Sequence, residues 1–142
     1  MQPWAVSAAI AAVFIATHYL FLRAASGRIG DALGALVLEG TAALGIAGYY
    51  IVRGRLDGVT TTRGGVVYAG ASGLAIAVAS ILIFQSLRRG GPVASTGTLV
   101  LGGGVALSAL IAPFLFAEAL TPRRFVGVAL GVVGMAILAT ER

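Results

Sequence analysis

Five apolar runs constrain this chain more than any other feature, and most of them reach about 20 residues or longer. They cover approximately residues 3–25, 30–52, 64–87, 93–117 and 124–139. A helix needs about 20 consecutive apolar residues to cross the hydrocarbon core of a bilayer, so each run predicts one crossing. Lipid offers no water to free backbone groups, and at this spacing the structure that satisfies those groups internally is the helix. The predicted fold is all-α: a polytopic membrane protein of five transmembrane helices in a single domain, 1–142. The start, Met1-Gln2-Pro3-Trp4, places no basic residue before the first run. That run is also longer than the apolar core of a signal peptide, which predicts a retained first span.

Composition agrees and removes several classes of function. The chain is 58% hydrophobic and 11% charged, with a mean hydropathy of +0.99, whereas soluble domains carry about 25% charged residues. With 0 Cys there is no disulfide, thiolate nucleophile or thiolate metal site, and 1 His excludes a multi-His metal site. No nucleotide, metal or nucleophile motif is present, so no cofactor and no enzymatic activity are expected. All 10 basic residues are Arg. They stand singly and in pairs at the ends of runs, where they anchor spans at the lipid interface; nucleic acid is not an expected partner. An Arg-only basic set with abundant Ala, Gly and Val points to a GC-rich bacterial genome, and hence to a multi-pass protein of the bacterial inner membrane.

The most informative stretch is 112–140, APFLFAEALTPRRFVGVALGVVGMAILAT. Ala112-Pro113-Phe114 closes one apolar helix, Glu118 follows, and Thr121-Pro122 breaks the chain. Thr121 can cap the next helix by accepting from its free N–H groups, and Pro122 suits the first helical position. Gly127, Gly131 and Gly134 then leave a stripe almost without side chains. Gly127 and Gly131 have the G-x-x-x-G spacing that lets a second helix approach closely in lipid. Glu118 lies near Arg123 and Arg124, an arrangement that fits an interfacial ion pair steadying the turn.

The ordered set Pro113, Glu118, Gly127 and Gly134 resembles the C-terminal hairpin of the drug/metabolite transporter superfamily, and the EamA-like domain in particular. A similar Pro, Glu and Gly-rich last helix occurs in its small multidrug resistance branch. There, two Gly seven apart, here Gly127 and Gly134, sit at a helix-pairing face. Five spans is the size of one EamA-like repeat, and larger members carry two such repeats, inverted relative to each other. The resemblance thus covers nearly the whole chain but half of the usual transporter. It implies a secondary transporter of small metabolites or drugs, working as an exporter. The first span departs from the family pattern, having Ala16-Thr17-His18-Tyr19 where a Trp-Gly pair is common. The small multidrug branch carries an essential carboxylate on its first helix, and this chain has none there, so that mechanism does not carry over.

With five spans the termini lie on opposite sides. Arg53, Arg55, Arg63, Arg123 and Arg124 fall on the N-terminal side, side A. Arg23, Arg28, Arg88, Arg89 and Arg142 fall on the other, side B. A fixed orientation normally shows an excess of Arg and Lys on one side. The balance predicts dual topology: two chains in opposite orientations would rebuild the inverted pair of repeats. The competing reading leaves orientation to the translocon or to the charge nearest the first span.

Glu39 is the candidate for chemistry. It stands about nine residues into the second run, where a carboxylate costs at least ~2.5 kcal/mol and should face protein rather than lipid. Its helical stripe of Ala32, Ala35, Ala43, Ile46 and Tyr50 is mostly small, leaving room for a close helix or a water-filled cavity. Burial disfavours the charged form of a carboxyl group, which makes Glu39 a candidate proton carrier; alternatively it is a hydrogen-bonded tie between two helices. His18 lies roughly 10 Å and Glu39 roughly 13 Å from side B at 1.5 Å per residue. In adjacent helices the two could meet as a proton-responsive couple; alternatively His18 is simply hydrogen-bonded across helices. Tyr68 and Ser72 share a face of the third run with Ala75, Ala79 and Ser86. That face lines a path with hydroxyls or bonds back within its own helix. Gly102, Gly103, Gly104 and Pro113 are candidates for a hinge in the fourth run, or for a close crossing. Trp4, Tyr49 and Tyr50 fit interface aromatics, and Tyr50 is also placed to touch substrate.

The expected assembly is a homodimer, parallel or antiparallel, or a heterodimer with a similar half, holding a small-molecule substrate between protomers near Glu39 and His18. Two other functions fit the same residues. One is a flippase for a lipid-linked substrate, a role associated with short members of the superfamily. The other is a non-transporting membrane subunit that scaffolds a partner.

Overall fold

The computed structural model of the protein describes residues 3–53, 61–117, 119 and 121–140. Five helices follow in order: α1 (Pro3–Ala25), α2 (Asp31–Arg53), α3 (Arg63–Arg88), α4 (Val93–Phe116) and α5 (Pro122–Ala139). By length and composition all five can cross a membrane. Their bounds follow the apolar runs within a residue, except that α5 starts two residues before the expected 124. The apolar run starts at Arg124, but the helix starts where the Thr121-Pro122 capping pattern places it: Pro122 takes the first helical position, and the Thr121 side chain accepts from Arg124 N at 3.2 Å. Thr62 does the same for α3, its Oγ1 accepting from Gly65 N at 3.1 Å. Each such cap satisfies an N–H that the first turn leaves free.

Other helix ends are set by charge and by glycine. Asp31 opens α2, at the positive end of its dipole, and Arg23, Arg53 and Arg88 stand in the last turns of α1, α2 and α3, at negative ends. The turns after α1 and α3 pass through Gly27 at φ 78° and Gly90 at φ 95°, a region that costs a side chain dearly. Ala117 holds a similar φ of 52° where α4 ends. α4 runs unbroken through Gly102, Gly103, Gly104 and Pro113. Glu118 and Arg55 lie outside the described residues, and with Glu118 the expected ion pair to Arg123 and Arg124.

The chain divides into two compact units, Met1–Arg23 with Arg89–Arg142, and Ala24–Arg88. In the second, α2 packs against α3 through Gly34 and Ala35 on one side and Ser80, Ile83, Phe84 and Leu87 on the other. The α3 residues recur at three- and four-residue steps, the period of one helix face. The Phe84 ring rests on Gly34 so closely that a methyl group there would come within 2.8 Å of it. From Gly40 to Arg53 and from Thr61 to Ile76, by contrast, every residue is exposed.

In the first unit, Gly97 lies under Tyr19, with 3.5 Å from a built methyl to the ring. Gly102 receives Met135, whose Sδ would be 2.8 Å from such a methyl. Between α4 and α5 runs an open groove of about 540 Å³ that includes Gly102, Ala109, Ala112, Arg124, Gly127 and Gly131 in its walls. Bare apolar side chains such as Leu44, Ile51 and Val52, each at least 75% exposed, exceed what a water-soluble monomer shows and are what lipid-facing surface requires.

Candidate functional site

Glu39 is the ninth residue of α2, about 12 Å from Asp31 along the axis at 1.5 Å per residue. Ser80 stands equally far back from Arg88 along α3. Since the helices run antiparallel, pairing at one end fixes the register at the other. Arg88 meets Asp31 with two prongs: Nε donates to Oδ1 at 2.8 Å, and the second guanidinium nitrogen donates to Oδ2 at 2.7 Å. Eight residues inward on each helix, Ser80 Oγ donates to Glu39 Oε1 at 2.5 Å. The Ser80 side chain is buried and Glu39 half-buried.

This arrangement answers the cost of placing a carboxylate inside an apolar helix. A distance of 2.5 Å is at the short end for a hydroxyl donating to a carboxylate, the stronger class of hydrogen bond. Small residues make the approach possible: Gly34 and Ala35 on α2 let α3 come close enough for Ser80 to reach. A carboxyl group has acceptor capacity beyond one bond, so Glu39 can accept a further hydrogen bond while Ser80 holds its orientation.

The other expected site residues are placed as follows. His18 belongs to the first unit, half-buried on α1 with its ring edge-on to Tyr19 at 5.5 Å between centroids. Glu39 belongs to the second unit. Tyr50, Tyr68 and Ser72 are all exposed, in the halves of α2 and α3 beyond the packed region. A methyl group added at Gly127, Gly131 or Gly134 meets nothing within 4 Å among the described residues, so the α5 stripe leaves room beside it, Gly127 and Gly131 in the α4–α5 groove. Among the described residues, Gly34, Gly97 and Gly102 are the helix glycines that admit close packing between helices.

Two participants escaped the sequence reading. Asp31 has a legible signal, an acid opening one apolar run with Arg88 closing the next. Ser80 is one of many small residues; its offset from Arg88 equals that of Glu39 from Asp31, a signal readable once the ion pair is known. Comparison with protein-family models, curated proteins and solved structures finds no match.

Proposed function

We propose that this chain is a multi-pass membrane protein acting as half of a proton-coupled secondary transporter of the drug/metabolite type, exporting a small molecule from the bacterial cell. The observation that carries the reading is the Ser80–Glu39 hydrogen bond at 2.5 Å, well inside two apolar helices. A carboxylate held there by one hydroxyl can be loaded and released without unpacking the helix pair. The resemblance of 112–140 to the EamA-like hairpin supports the family. The α5 glycine stripe, open to close approach, supports a homodimer, and the balanced Arg distribution supports an antiparallel one. In this reading Tyr50, Tyr68 and Ser72, exposed on the same two helices as Glu39, line the approach, and His18 is a further candidate proton-responsive residue on α1. The test is flux of substrate in proteoliposomes under an imposed pH gradient: Glu39→Gln, which keeps shape but cannot titrate, abolishes gradient-driven flux if the reading holds.

A further inference from the structure

The groove between α4 and α5 has a direction. At the hairpin end its wall holds Arg124, a half-buried cation in the first turn of α5. Gly131, in the same wall, is seven residues further along α5, about 10 Å deeper into the span at 1.5 Å per residue. The deeper walls are glycine, alanine and valine, and the Ser108 hydroxyl among them is already engaged, donating to Val105 O at 3.0 Å. The groove therefore runs from a charged helix end to an apolar interior, the polarity of a phospholipid. Its volume of about 540 Å³ lies in the range of roughly 300–1,000 Å³ that holds a small ligand.

The charge at the mouth points the same way. Arg123 and Arg124 both lie in the first turn of α5, which has no acidic residue. That turn is the positive end of the helix dipole, where anions are favoured and cations are not. Glu118, the nearest acid in the sequence, sets one negative charge against two positive ones, so this end keeps an excess of positive charge.

We propose that the α4–α5 groove binds an anionic phospholipid, with the phosphate at Arg124 and one acyl chain lying along Gly127 and Gly131. Basic pockets between membrane helices take anionic headgroups in this way. Arg124 Nη1 donates to Ala119 O at 3.5 Å, and a guanidinium has further N–H donors, so a phosphate is held without breaking that contact. The inference goes beyond the transport reading and makes no use of Glu39. Gly127 and Gly131 also belong to the stripe read as a dimer face, so lipid and a second copy exclude each other there.

The test places the protein in phosphatidylcholine nanodiscs with a small share of a lipid carrying a diazirine in one acyl chain. The probe is phosphatidylglycerol or, with the same chains, phosphatidylcholine, and crosslinked peptides are mapped by mass spectrometry. The phosphatidylglycerol probe is expected to label the groove walls, 105–112 and 127–131, about fivefold more than the phosphatidylcholine probe, the effect of one Arg on an anionic lipid. The exposed run 6–17 of α1 should take both probes equally. Arg124→Ala should bring the two probes level in the groove, while Arg124→Lys, still a cation, keeps the preference. Equal labelling of the native groove by both probes overturns the site, as does a preference that survives Arg124→Ala. No groove labelling by either probe, the result if α5 of a second copy fills the groove, overturns it too. The first comparison uses the native chain, so it stands even where Arg124→Ala fails to fold. Glu39→Gln should leave the labelling unchanged, which separates failure of the transport reading from failure of the lipid site.

Discussion

Ser80 donates to Glu39 at 2.5 Å from the facing helix, and this bond lies eight residues inward from the bidentate pair of Arg88 and Asp31. The two contacts lock one register of antiparallel helices. A slip of a single residue on either helix would turn Glu39 away from Ser80, towards lipid, at the cost of an unpaired polar group. Ser80→Ala should therefore reduce stability by about 1–2 kcal/mol, the range for a hydrogen bond to a carboxylate made within a membrane. Reversible unfolding in mixed micelles measures it. No loss of stability would mean that Glu39 finds an equivalent donor elsewhere.

The glycines divide into two sets with opposite expected effects. Gly102→Leu forces a bulky group against Met135, already within 2.8 Å of a built methyl, and should destabilise the α4–α5 hairpin by about 1–3 kcal/mol, as overpacking does. A methyl built at Gly131 meets nothing within 4 Å inside the chain, and the α4–α5 groove that Gly131 lines has room for a larger side chain, so with Gly131→Leu monomer stability should stay within ~0.5 kcal/mol. Chemical crosslinking of the proposed dimer in membranes should fall, because the bulky side chain prevents close helix approach. A Gly131→Leu chain that crosslinks as well as the native one would remove the α5 stripe from the interface.

The balanced Arg count predicts that reporters fused to the C-terminus and active on opposite faces of the membrane both give signal. Adding two Arg to the α3–α4 turn should then bias the population towards one orientation. Signal from one reporter alone with the native sequence would end the dual-topology argument and with it the antiparallel dimer.

The helices were readable because their signal is one-dimensional: the length and polarity of a run set each one, and the cap at Thr121 refined it. The site was readable in part. Glu39 stands out because a carboxylate in an apolar run is expensive, and that cost is visible without any partner. Its partner was not visible, since Ser80 is one small polar residue among several and only the α2–α3 register selects it. Gly34 and Gly97 are not legible as packing positions for a related reason, whereas Gly102, expected in a hinge or a close crossing, does take a close neighbour in Met135. Helix association in lipid depends on close approach, and a lone glycine such as Gly34 or Gly97 shows no pattern until a facing ring is in place. The Gly127–Gly131–Gly134 pattern, conspicuous by its spacing, marks surface that this chain leaves open.

The most direct measurement is pH-gradient-driven flux in proteoliposomes, comparing the native chain, Glu39→Gln and His18→Ala. Substrates are taken from a panel of small metabolites and drugs, and oriented insertion is checked separately. Glu39→Gln should fold, with the α2–α3 register kept because the amide oxygen still accepts from Ser80, and should lose flux driven by the gradient while substrate exchange persists or slows. His18→Ala should shift the pH dependence without abolishing transport. Gradient-driven flux of native size through Glu39→Gln would contradict the proposal and leave Glu39 as a structural tie between α2 and α3.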